Sequence, residues 1–161
     1  MSGGSYVMQF FYDGSVICDL ESREKYSAIH ELLSKAPVFR QIKNISAFEE
    51  VVVEREKKLS TGLGHGVAFA HGKTDVVDSL YIALGISKEG IEYEALDKKP
   101  VHLLFIVANP ENGHQEYLRL ISELSRILRD NGFREKILQM KDQHKIEHLF
   151  RQELEALEVK C

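Results

Sequence analysis

Cysteine is scarce in this chain. Cys18 and Cys161 are the only two in 161 residues, which excludes a disulfide framework, and neither sits in a metal-binding spacing. A reducing cytoplasm is the setting this predicts. Long apolar runs are also missing. The longest, Val101 to Ala108, is interrupted by His102 and is far too short to span a bilayer. The N-terminus carries no basic stretch followed by an apolar core, so no signal peptide is expected. Charge of one sign does not dominate either. Lys and Arg number 21 against 25 Asp and Glu, a net charge of -4, which gives no general attraction to nucleic acid or to an anionic membrane. Repeats, low-complexity tracts and linkers are absent, so residues 6–157 are expected to form one domain, long enough to bury about 70% of its extended-chain surface.

What is present is a normal globular composition, 43% hydrophobic and 29% charged, with the periodicities of a mixed fold. Residues 6–12 are β-prone and aromatic, and Asp13-Gly14 reads as a turn. Ser22 is placed to cap a helix through Tyr26, Ile29, Leu33 and Ala36, which Pro37 ends. Ser46-Ala47-Phe48-Glu49 has the form of a capping box opening a second helix through Val51, Val52 and Leu59, with Gly62 as its stop. Short strands are expected at Val67–Ala70, Leu80–Ile86 and Val101–Ala108, and an edge strand at Ile91–Tyr93. Asn109–Gly113 forms a turn before an amphipathic helix through Tyr117, Leu120, Ile121, Leu124, Ile127 and Leu128, which Asn131-Gly132 ends. A short helix and a terminal helix from near Asp142 follow. The order predicts an α/β sandwich, a mixed sheet of about five strands with helices on both faces.

Within that frame the segment from Arg55 to Gly72 holds the chemistry. His71 closes an apolar strand and is followed by Gly72, where backbone can approach a ligand. A neutral imidazole with a pKa near ~6.5 is a competent nucleophile toward phosphorus, although a strand-end histidine bonded to a loop has the same local pattern. Arg55 falls on the apolar face of its helix, where arginines commonly snorkel. That helix runs directly into Ser60-Thr61-Gly62, and its guanidinium would attract a phosphohistidine by about 4 kcal/mol per unit charge at 4 Å, much of it offset by desolvation. His114 follows Gly113 at a helix start, which favours anions; an exposed capping residue is the plainer reading.

Two look-alikes are set aside. Gly66 to Thr74 ends in Gly-Lys-Thr, but five residues separate Gly66 from Gly72 where a nucleotide-binding loop has four. His144-Lys145-Ile146-Glu147-His148 has the spacing of an H-x-x-E-H zinc motif. It stands close to the C-terminus, with little chain left for a third ligand or a cleft, and reads as a solvated helix face.

The run Arg55-Glu56, Ser60-Thr61-Gly62-Leu63-Gly64, Gly66-Val67-Ala68-Phe69-Ala70-His71-Gly72 closely resembles the signature of the fructose/mannitol-type (type 2) enzyme IIA domains of the bacterial phosphoenolpyruvate-dependent sugar phosphotransferase system. Weaker likeness extends over most of the chain. The resemblance implies a five-stranded mixed sheet flanked by helices. It implies His71 as phosphoacceptor, charged by the histidine-containing phosphocarrier protein and discharged to an enzyme IIB domain. Arg55 and His114 would stabilise the phosphoryl charge, and Ser60, Thr61, Gly72 and His65 would belong to the pocket. No metal or organic cofactor is implied, and contact with the membrane would be indirect, through an enzyme IIC partner. Where the family has proline before the histidine, this chain has Ala70, which frees the backbone and restores an N–H donor. His65 occupies a variable position that either faces the pocket or faces solvent. A regulatory, nitrogen-type IIA protein, whose phosphorylation state controls partner binding, is the second reading. A degenerate member that binds without transferring phosphate is the third.

Overall fold

The computed structural model describes residues 11, 13–75, 77 and 79–160, the last three as backbone only. Apart from Phe11, the strand expected at 6–12 lies outside the described residues. Among the described residues five strands form one sheet: β1 (Val16–Ile17), β2 (Gly62–Gly64), β3 (Val67–Thr74), β4 (Tyr81–Ile91) and β5 (Val101–Pro110). Their spatial order is β1-β4-β5-β3-β2. β1 runs parallel to β4 and β3 parallel to β5, while the β4–β5 and β2–β3 pairs are antiparallel. The sheet is therefore mixed, as the order of elements in the sequence predicts.

Period-two alternation in the central strands feeds two cores. Leu103, Phe105 and Val107 of β5 point to one face, and Leu104, Ile106 and Ala108 to the other. The first face is covered by α3 (His114–Leu128), α4 (Asn131–Gln139) and α5 (Gln143–Lys160). There Phe150 of α5 stacks on Phe11 with ring centroids 4.8 Å apart and meets Phe105 edge-on at 6.0 Å, geometries that aromatic pairs favour. The second face is covered by α1 (Lys25–Lys35), a 3-10 turn at Pro37–Gln41, and α2 (Ile45–Lys58). It is built from small residues, Ala68, Ala70, Ala83 and Ala108, which let the helices come close. Gly72 belongs to this face: a Cβ there would stand 3.0 Å from Val51, 3.1 Å from Val52 and 3.2 Å from Phe48. That close approach sets the middle of α2 against β3.

Several element ends differ from the sequence expectation. Glu24, not Ser22, caps α1, its carboxylate accepting from the Tyr26 and Ser27 N–H groups. Asn44, not Ser46, caps α2 by accepting from the Ala47 N–H. α2 ends at Lys58, with Leu59 already extended, and Gly62 lies in β2. β3 does not stop at Ala70 but continues in register with β5 to Thr74↔Pro110, so His71 is inside the strand. Ile91 ends β4, which replaces the separate edge strand expected at Ile91–Tyr93. Asn131-Gly132 opens α4, with Asp130 as the cap, and does not merely end α3. In each case a side chain or a neighbouring strand satisfied the backbone groups that local propensity had assigned elsewhere.

Candidate functional site

His71 shares its face of β3 with Val67 and Phe69, the face covered by α3. β2 pairs with β3 only as far as Ala68, so the outer edge of β3 beyond that point is left to the end of α2 and the loop after it. There Arg55, in the last turn of α2, donates from Nη1 to the Leu59 carbonyl at 2.8 Å. The imidazole is half-buried. Its Nδ1 lies 3.3 Å from the Phe69 carbonyl oxygen and 3.1 Å from the Tyr117 hydroxyl, and the two rings sit 5.0 Å apart, tilted by 43°.

Burial is the main cause that lowers the His71 pKa below 6.5. The Phe69 carbonyl acts against it, the positive charge of Arg55 adds to it, and Glu56 pulls the other way. The same Arg55 charge opposes the burial that raises the Tyr117 phenol. Arginine, imidazole and phenol thus occupy one electrostatic neighbourhood, with the imidazole neutral and the phenol protonated at pH 7. Because the folded pKa is depressed, the stability His71 contributes is fully present above about pH 6.5 and is lost as pH falls towards the folded value. An NMR titration of the imidazole is expected to give a midpoint below 6.5. Arg55→Gln should raise that midpoint only part of the way, since burial persists; a wild-type midpoint at or above 6.5 would contradict this electrostatic account.

The other expected residues separate into two groups. Ser60 and Thr61 adjoin the site, but their hydroxyls are committed inward. Ser60 Oγ donates to the Tyr93 carbonyl at 3.4 Å and accepts from the Gly62 N–H at 3.1 Å. Thr61 donates from its N–H and Oγ1 to the Glu56 carboxylate at 2.7–3.2 Å. Gly72 faces α2, as described above, and its part is to admit that helix. His114 is exposed at the first position of α3. The α3 side chain that touches His71 is Tyr117, three residues further on. Tyr117 has the helical spacing of the apolar stripe in the sequence, and only its position in the first turn of α3 sets it apart. His65 is exposed in the β2–β3 turn with φ at 58°. β3 begins only at Val67, so four extended steps, roughly 13 Å, and the turn itself separate it from His71, which leaves it outward and away from the pocket. His144 and His148 are exposed, whereas Glu147 is buried and accepts from the Gly14, Ser15 and Val16 N–H groups. The H-x-x-E-H spacing therefore does not bring both histidines and the glutamate together. A cavity of about 1060 Å³ lined by residues such as Cys18, Arg23, Lys88 and His144 does not include His71.

Fold and geometry together define a class: an α/β sandwich whose mixed sheet carries a histidine, with a tyrosine of α3 in contact with it and an arginine of α2 in its electrostatic neighbourhood. Over residues 9–153 the chain matches the family described as phosphoenolpyruvate-dependent sugar phosphotransferase system, EIIA 2, and it belongs to that family as an EIIA-type phosphotransfer component. It is 34% identical over 128 residues to the PTS system fructose-specific EIIABC component of Bacillus subtilis (strain 168), a match covering 80% of this chain and 20% of that protein, so it spans about a fifth of that relative's length. It is also 34% identical over 131 residues to the PTS system fructose-specific EIIA component of Haloferax volcanii, covering 81% of this chain and 85% of the relative. Among solved structures, the nitrogen regulatory protein IIA-Ntr from Neisseria meningitidis superposes with a TM-score of 0.79 at 27% identity, covering 89% of this chain and 97% of that one. Among the described residues no helix is long and apolar enough to cross a membrane.

Proposed function

We propose that this protein is a phosphocarrier that accepts a phosphoryl group on His71 from the histidine-containing phosphocarrier protein and passes it to an enzyme IIB domain. The observation that carries this reading is the pair of contacts made by Nδ1 of the imidazole. The Phe69 carbonyl has no proton to give, so the proton in that contact belongs to Nδ1, and the Tyr117 oxygen accepts a share of it. Nε2 is left with its lone pair as the nucleophile. In the transfer, Nε2 attacks phosphorus, the P–N bond of the donor phosphohistidine breaks, and the donor imidazole leaves with the bonding pair. Arg55 offsets the charge of the incoming phosphoryl group. Exposed Val51, Leu59 and Leu118 lie on the segments that carry the site and supply apolar surface for a protein partner.

The relay tests it directly. Incubation with phosphoenolpyruvate, enzyme I and the phosphocarrier is expected to give one phosphoryl group per chain, on Nε2 by phosphorus and nitrogen NMR, with discharge to a IIB domain. A stable label on Nδ1 would overturn the assignment of the nucleophilic nitrogen, and no label at all would overturn the carrier reading. A regulatory reading is favoured by one observation, the likeness to a nitrogen regulatory IIA protein. Under it the chain is labelled equally well but IIB domains do not discharge it, and a partner binds one phosphorylation state in preference to the other.

A further inference from the structure

A second cluster lies where α5 meets the loop entering β1, and the transfer reading leaves it unused. His144 Nδ1 stands 3.3 Å from Asp13 Oδ1 and 3.4 Å from Glu147 Oε1, and one ligand atom from each of the three residues lies within 4.8 Å of the others. Glu147 is the informative member. Its side chain is 1% exposed, and Oε2 is saturated by the Gly14, Ser15 and Val16 N–H groups at 3.1, 2.9 and 3.1 Å. Among the described residues Oε1 has no hydrogen-bond partner. The His144 nitrogen is within ion-pair range of it but not in hydrogen-bonding geometry. A buried carboxylate oxygen left without a donor is costly, and this one is aimed at an imidazole nitrogen and a second carboxylate.

We propose that Asp13, His144 and Glu147 hold one divalent transition-metal ion of the zinc class. Ligands about 2.0–2.1 Å from a tetrahedral metal stand about 3.3–3.4 Å from one another, which is the spacing of the two measured pairs. One imidazole with two carboxylates suits zinc and its neighbours better than the oxygen-seeking calcium or magnesium. The i, i+3 spacing puts His144 and Glu147 on one face of α5. The three backbone N–H groups on Oε2 orient the buried ligand, as outer partners do in metal sites. Asp13 and His144 are exposed, so water has access to the fourth position. The ion would tie α5 to the turn before β1. The ligand set differs from the H-x-x-E-H pattern in the sequence: Asp13 takes the part that His148 would have played.

The test uses the full chain, stripped with a chelator and titrated with zinc chloride by calorimetry, and with cobalt by visible absorption. One zinc per chain and a tetrahedral cobalt spectrum are expected. His144→Ala and Asp13→Asn, both at exposed positions and checked for fold by circular dichroism, should each weaken binding at least about tenfold. His148→Ala should leave it unchanged. Absence of zinc binding would overturn the proposal, as would binding that survives His144→Ala or is lost in His148→Ala.

Discussion

His71→Ala is expected to bring phosphoryl labelling down to background while the protein stays folded. The imidazole is only half-buried, and its ring contact is with Tyr117, so truncation opens a gap towards solvent and not in the core. The thermal midpoint should move by a few degrees at most, a loss of about 1 kcal/mol. On the proposed carrier reading activity should not survive, because a covalent carrier without its nucleophile has no alternative route. The neighbours give graded outcomes that test the geometry. Tyr117→Phe removes one hydrogen bond from Nδ1 and leaves the Phe69 carbonyl in place, so transfer should slow about fivefold, the equivalent of roughly 1 kcal/mol. His114→Ala separates the sequence reading from the structural one. If His114 stabilises the phosphoryl charge, its loss should slow transfer more than Tyr117→Phe does. If α3 acts through Tyr117, the order is reversed. Rates of label transfer from the phosphocarrier, with circular dichroism for fold, decide between them.

The fold was legible wherever burial and periodicity agree. β5 reads as a nearly continuous apolar run because both of its faces are covered, and α3 reads as an amphipathic stripe because only one of its faces is. Ends were less legible, since caps depend on which side chain turns back on the chain: Glu24 and Asn44 took over from Ser22 and Ser46. The length of β3 depended on its partner, and β5 carried it past His71 in a way no local signal shows. At the site, motif and spacing point to Arg55 and His71, and the packing of α2 against Gly72 explains why residues 16 apart share one electrostatic neighbourhood. Tyr117 was hidden by its own chemistry. An aromatic at helical spacing looks like core, and here one end of the ring packs while the hydroxyl serves the imidazole.

Glu56→Ala is expected to cause the largest loss of stability among site-proximal substitutions. The carboxylate is 2% exposed and takes the Thr61 N–H at 2.8 Å and the Thr61 hydroxyl at 2.7 Å. That hydroxyl in turn contacts the Tyr93 hydroxyl at 3.1 Å, and the Tyr93 phenol is pushed up by burial and by the Glu56 charge. Truncation leaves two donors and a linked phenol inside a low-dielectric layer, at about 1–3 kcal/mol for each unpaired group. A total of about 3–5 kcal/mol is expected, a large share of the roughly 5–15 kcal/mol that holds a domain together. A melt should show the midpoint falling by about 10 °C. The consequence reaches the chemistry because Thr61 also accepts the Phe69 N–H at 3.2 Å, so the same residue joins the end of α2 to β3 beside His71. Glu56→Gln distinguishes charge from scaffolding. It keeps one acceptor for Thr61 but removes the negative charge that raises the His71 pKa. If Arg55 stays in place, the His71 titration should therefore move further down. An upward movement would mean that α2 had drawn away and taken the Arg55 charge with it, and transfer activity should then fall even in molecules that remain folded.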